Sequence, residues 1–210
     1  MMKELDFRNW VLGGADSNIV SILESCGSES CYSSDCDAEW VSDEFEEALE
    51  ERFQADFIVS NGVEKIVVSQ PEWEYVYKFQ VNTVGCDYGD FTEICQWAEN
   101  AGLGDMFLKE EVLCWLGTVL VTTQSQLRGG EYKDYWDASN RVKQLSRKTR
   151  DTIQNSENET LSLWTYTLYG AERLSQLLNF LEENGIFDIH SGNFIVENGE
   201  IKIYDASLRN

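Results

Sequence analysis

Histidine occurs once in this sequence, at position 190, and none of its six cysteines forms a Cys-x-x-Cys pair. Zinc sites draw their ligands from such pairs and from histidines. Cys26, Cys31 and Cys36 stand five apart in Ser- and Asp-rich sequence far from His190, so no metal centre is expected there. Reduced thiols fit a cytosolic protein. Long apolar runs are missing as well. No stretch approaches the ~20 consecutive apolar residues of a membrane-spanning helix, and Met1-Met2-Lys3-Glu4-Leu5-Asp6 lacks the apolar core of a signal peptide. A cytoplasmic protein with no membrane partner is expected. Basic residues are scarce: 16 Lys and Arg face 38 Asp and Glu, a formal net charge of −22. Such a chain is repelled by nucleic acid and by anionic membranes and attracted by basic surfaces. Direct nucleic-acid binding is therefore not expected, and a macromolecular partner is expected to be basic. A well-solvated surface accounts for the charge equally well.

What is present is a globular composition, 42% hydrophobic, with 7 Trp, 9 Tyr and 10 Phe in 210 residues. That is enough for one sizeable core or for two small lobes sharing a cleft. From Ser42, apolar residues at Phe45, Ala48 and Leu49 predict an acidic helix. Asp56 to Val68 predicts a hairpin breaking at Asn61-Gly62, and Tyr75 to Val81 alternates as a half-buried strand does, with Lys78 in its middle. Asp90 to Asn100 predicts a helix ended by Gly102. The run Val112 to Thr123 is too long for one ordinary strand and predicts two, or a bend at Gly117. Leu161, Trp164, Leu168, Ala171, Leu174, Leu178 and Leu181 give the best amphipathic helix in the chain, ended by Asn184-Gly185. Ser25 to Asp37 reads as a mobile loop or insertion. Arg141, Lys143, Arg147, Lys148 and Arg150 form the main basic cluster, read as one solvated helix face or as a phosphate or acidic-peptide contact.

The densest chemistry lies near the end, in Phe187-Asp188-Ile189-His190-Ser191-Gly192-Asn193 and the residues up to Asp205. Asn198-Gly199 between two apolar-rich runs predicts a two-residue type I′ turn, because both central residues need positive φ. The register then pairs Glu197 with Glu200 and Val196 with Ile201, which brings Asn193 and Asp205 to the same open end, beside the loop that carries Asp188. An ordinary surface hairpin with Asn193 and Asp205 as strand-end caps is the alternative.

This segment resembles the catalytic core of the protein kinase-like superfamily, and most of all the early host-takeover Ser/Thr protein kinases of tailed bacteriophages. The shared residues are Phe187-Asp188-x-His190-Ser191-Gly192-Asn193 and Asn198-Gly199 before Asp205. In a kinase the catalytic-loop Asp accepts the hydroxyl proton, an Asn five residues on holds one Mg²⁺, and a later Asp holds the metal bridging the ATP phosphates. The resemblance thus implies Asp188 as base and Asn193 and Asp205 as metal residues. His190 would stand where many kinases place a γ-phosphate-neutralising Lys; its other reading is a loop-stabilising His. Two stretches depart from the pattern: Ile186-Phe187 replaces His-Arg, and Asp205-Ala206-Ser207 replaces Asp-Phe-Gly.

By the same resemblance, the phosphate-covering loop is the hairpin at Gly62, with one Gly instead of three, and Lys78 reaches the ATP phosphates. The alternative for Lys78 is a surface residue on an edge strand. Glu93, with Glu99 as runner-up, is the helix carboxylate that would pair with Lys78; either also reads as an exposed acidic residue. Leu12-Gly13-Gly14-Ala15-Asp16-Ser17-Asn18 overlays the Gly-rich pattern poorly and reads as a loop. Gln124 to Gln126 would form the adenine-binding hinge. The expected fold is α+β and two-lobed, protein kinase-like, with a truncated C-terminal lobe: an N-terminal extension over 1–42, an N-lobe over 43–125 and a C-lobe over 126–210. The expected function is ATP- and Mg²⁺-dependent phosphorylation of Ser or Thr in basic host proteins, in the host cytoplasm. Two alternatives stand beside it. One is an acidic protein on a decayed kinase scaffold that inhibits a basic host factor; the other is a small-molecule phosphotransferase, suggested by the likeness of 188–193 to an Asp-x-His-x-x-Asn loop.

Overall fold

The computed structural model describes residues 2–25, 38–61, 65–80, 90–128, 146–154, 156, 158–187, 189 and 192–208. The chain is a mixed α+β protein that divides into two compact units, the first made of Met1–Gly89 and Glu110–Gln126, the second of Asp90–Lys109 and Leu127–Asn210. No helix among the described residues is long and apolar enough to cross a membrane.

The first unit is built on a five-stranded antiparallel sheet in the order β1-β2-β3-β5-β4. Its strands are β1 (Ile58–Asn61), β2 (Lys65–Ser69), β3 (Tyr75–Gln80), β4 (Glu110–Leu116) and β5 (Val119–Ser125). Period-2 alternation gives the sheet two unlike faces. Ile66, Val68, Tyr77, Phe79 and Val121 line one face and pack with Phe7 and Val11 of α1 (Glu4–Leu12), Ile19 and Leu23 of α2 (Ser17–Ser25), and Phe45 and Leu49 of α3 (Ala38–Phe53). Phe7 anchors this core, its ring 4.8 Å from that of Trp73 and 5.0 Å from that of Tyr77. The Glu4 carboxylate latches α1 to the sheet by accepting from the Glu74 and Tyr75 N–H groups and the Tyr77 hydroxyl.

Residues 4–25 are thus core helices of the first unit, which corrects the expected N-terminal extension over 1–42. Helix α1 shows no sustained apolar stripe, since Leu5 and Leu12 face solvent and only Phe7 and Val11 are buried. The Gly-Gly stretch turns α1 into α2, with φ +100° at Gly14 and +51° at Ala15. Residues 26–37, with their three cysteines, lie outside the described residues. The run from Val112 splits at Gly117 (φ +59°), where Leu116 pairs with Val119 around a two-residue turn.

In the second unit, α4 (Asp90–Asn100) spans the expected residues and buries Phe91, Ile94, Cys95 and Ala98. This helix was expected within a lobe over 43–125; it packs instead into the core of the second unit. A short helix, α5 (Arg147–Gln154), begins in the basic cluster, where the exposed Arg147 faces Asp151 at 4.0 Å. The amphipathic segment forms α6 (Glu159–Glu183), interrupted at Gly170, where φ is +85°. The interruption shifts the helix phase. Leu161 and Trp164 are buried before it and Leu174, Leu177, Phe180 and Leu181 after it, while Ala171 is exposed. Two small ribbons complete the unit: β6 (Ile186–Phe187) with β9 (Ser207–Leu208), and β7 (Phe194–Glu197) with β8 (Glu200–Ile203).

Candidate functional site

The β7–β8 ribbon turns at Asn198 (φ +51°) and Gly199 (φ +81°), the left-handed pair that a type I′ turn requires. Its register is the one expected from sequence, with Glu197 opposite Glu200 and Val196 opposite Ile201. Three contacts mount the ribbon on the rest of the unit. The Ile201 N–H donates to the Tyr169 hydroxyl at 3.0 Å, Ile203 exchanges backbone bonds with Met106 and Leu108, and Lys202 donates to the Asp105 carbonyl. Ile201 and Ile203 are fully buried in the core.

At the open end of the ribbon, the Asn193 carbonyl accepts from the N–H of Tyr204 at 2.9 Å and of Asp205 at 3.4 Å. Asn193 and Asp205 therefore lie together, both half-buried. The Tyr204 hydroxyl donates to the Gly192 carbonyl, and Asp205 Oδ1 accepts from the Ala206 N–H at 3.2 Å. Immediately afterwards Ser207 pairs with Phe187 in the second ribbon. The stretch from 188 to 192 is thus bounded on one side by the Phe187–Ser207 pair and on the other by the Asn193 contacts. Ile189 within it is buried in the core. Asp188 and His190 lie outside the described residues, as does Gly62.

The side-chain oxygens of Asn193 and Asp205 are hard donors of the kind Mg²⁺ takes, and Mg²⁺ in phosphoryl-transfer sites is held by one or two carboxylates with substrate phosphates and water. The donor set fits that ion. Among the described residues no cluster of three or more His, Cys, Asp or Glu could hold a metal by itself.

Lys78 lies at the centre of β3, opposite Val67 of β2 and Thr122 of β5. It is buried, on an internal strand, so the alternative of a surface lysine on an edge strand is excluded. Because Tyr77 and Phe79 turn into the aromatic core, Lys78 faces the other side of the sheet. Register places Gln80, Thr122, Gln124 and Glu110 on that same side, and all four are buried. Lys78 Nζ meets Glu110 Oε2 at 2.6 Å.

Two expectations change here. The carboxylate that meets Lys78 comes from β4, whereas Glu93 and Glu99 are exposed on α4 of the second unit. Glu110 escaped notice because nothing local marks it: its alignment with Lys78 arises only when β5 inserts between β3 and β4. In addition, Gln124 and Ser125 belong to β5, and the Gln126 N–H donates to the Glu74 carbonyl at 2.8 Å. The sheet therefore extends into the segment where a connector was expected. Compared with known protein families and with curated proteins, the sequence matches none.

Proposed function

We propose that this chain is a two-lobed protein kinase-like enzyme that transfers a phosphoryl group from ATP to Ser or Thr hydroxyls of basic host proteins. The observation that carries the reading is the meeting of Asn193 and Asp205 at the end of a type I′ ribbon, five and seventeen residues after Asp188. A second feature supports it. Lys78 sits buried in the third strand of a five-stranded antiparallel sheet, followed by a helix and two further strands.

In this reading Asp188 orients the hydroxyl and accepts its proton, and a neutral His190 donates a hydrogen bond to the transferring group. Asn193 and Asp205 hold Mg²⁺, which when bound neutralises charge on the phosphates. Lys78 orients the α- and β-phosphates. Clamping of Ser207 against Phe187 holds Asp205 between two paired segments, in place of the Gly-bearing loop that the resemblance would supply.

The deciding experiment incubates the chain with labelled ATP and Mg²⁺, with and without a bacterial lysate, for wild type and Asp188→Asn. Loss of a positioned general base should lower labelling about 10²–10⁴-fold while ATP binding is spared. The net charge of −22 favours a second reading, an acidic protein that occludes a basic host factor. No labelling by wild type, with equal inhibition of a host factor by both forms, would establish that reading instead.

A further inference from the structure

The Lys78–Glu110 pair is removed from solvent, the two side chains 6% and 1% exposed. Taking two charges out of water is costly, and their attraction repays the cost only with good geometry; apolar residues of similar volume often stabilise a fold as well or better. The apolar core of this unit lies on the opposite face of the sheet and does not include the pair. Glu110 reaches Lys78 across β5: it is paired with Gln124, two residues along from Thr122, the residue opposite Lys78. Both charges are therefore carried by strands of one hydrogen-bonded sheet.

We propose that Glu110 is a positioning residue, whose carboxylate holds Lys78 Nζ in the place where it meets the phosphates of the nucleotide. The inference rests on the phosphate-binding role given to Lys78 above. Glu110 touches no phosphate, since two anionic groups repel; it acts through the lysine. Its setting also differs from a helix-borne carboxylate, because β4 cannot swing away without breaking its ladder to β5. The Glu110 contact to Lys78 is thus supplied from within the sheet itself.

The test uses the full chain and titrates MgADP and, up to millimolar concentration, adenosine, which carries no phosphate. Wild type is compared with Glu110→Gln, Glu110→Asp, Lys78→Met and the double variant Lys78→Met/Glu110→Gln, each with its unfolding temperature. Glu110→Gln should weaken MgADP about tenfold to a hundredfold, the worth of one charge-assisted hydrogen bond, and leave adenosine binding unchanged. Glu110→Asp keeps the charge but draws it back by one methylene, so it should stay folded and still lose MgADP affinity; it carries the test if Glu110→Gln does not fold. The double variant should bind no worse than Lys78→Met alone. Wild-type MgADP affinity in a folded Glu110→Asp, an equal loss for adenosine, or multiplying losses in the double variant would each overturn the role of Glu110 while the kinase reading stands. Absence of nucleotide binding by wild type would overturn both.

Discussion

Asn193 accepts across its ribbon through its backbone carbonyl, a contact that survives truncation of its side chain. Asn193→Ala keeps that carbonyl, and Asp205→Asn keeps an Oδ1 that accepts from the Ala206 N–H. Both variants should therefore unfold within a few degrees of wild type but lose Mg²⁺-dependent nucleotide binding. Equal calorimetric affinity in wild type and Asp205→Asn would remove the metal assignment. A different residue contributes to the acid sensitivity of the first unit. Asp16 Oδ2 accepts from Arg52 Nε at 2.6 Å and Trp10 Nε1 at 3.2 Å, tying α1 and α3 to the turn between α1 and α2. The Arg52 hydrogen bond above all, and then that of Trp10, hold its carboxyl below the ordinary value of 3.8. A depressed acid contributes stability that is whole above its unfolded value and is lost as the pH falls through its folded one. Asp16→Asn should therefore flatten the fall in unfolding temperature below about pH 4, measured by circular dichroism.

At the scale of elements, the β7–β8 turn joins local chemistry to the site. Gly199 at φ +81° has no atom within 4 Å of a would-be Cβ, so the cost of Gly199→Ala is conformational and not steric. An L-residue in the left-handed region costs roughly 1–2 kcal/mol. That loss should appear in urea unfolding as a lower midpoint with an unchanged slope. Gly170 makes a second conformational break, inside α6, just after Tyr169, whose hydroxyl accepts from Ile201. The apolar stripe of 161–181 is legible in sequence; the phase shift that buries Leu177 and Phe180 and exposes Ala171 is not. A straight 3.6-residue period carried through Gly170 puts the wrong residues inward.

For the whole molecule, the excess of acidic residues acts at a distance. A charge of −22 steers basic partners until salt screens it, and the Debye length is only ~8 Å near 0.15 M. Association with a basic lysate protein that the chain labels should therefore slow steeply between low and physiological salt. A flat on-rate in stopped-flow measurements would assign the charge to solubility alone. The two compact units interleave along the chain: Asp90–Lys109 leaves the first for the second, and Glu110 returns.

The sequence by itself determined the β7–β8 ribbon, its turn and its register, and with them the meeting of Asn193 and Asp205, because an Asn-Gly turn and period-2 alternation act between neighbours in the chain. It equally determined α4, whose apolar positions repeat with one unbroken period. Tertiary structure decided the rest. Residues 4–25 became core because distant aromatic residues, Trp73 and Tyr77, gave Phe7 a place to pack. Lys78 came to lie on an internal strand because β5 pairs along the edge that β3 would otherwise present, and strand order in space is not written in any local pattern. The same insertion brought Glu110, 32 residues away, within hydrogen-bonding distance of Lys78, a contact that depends on which strands pair and not on either residue's neighbours.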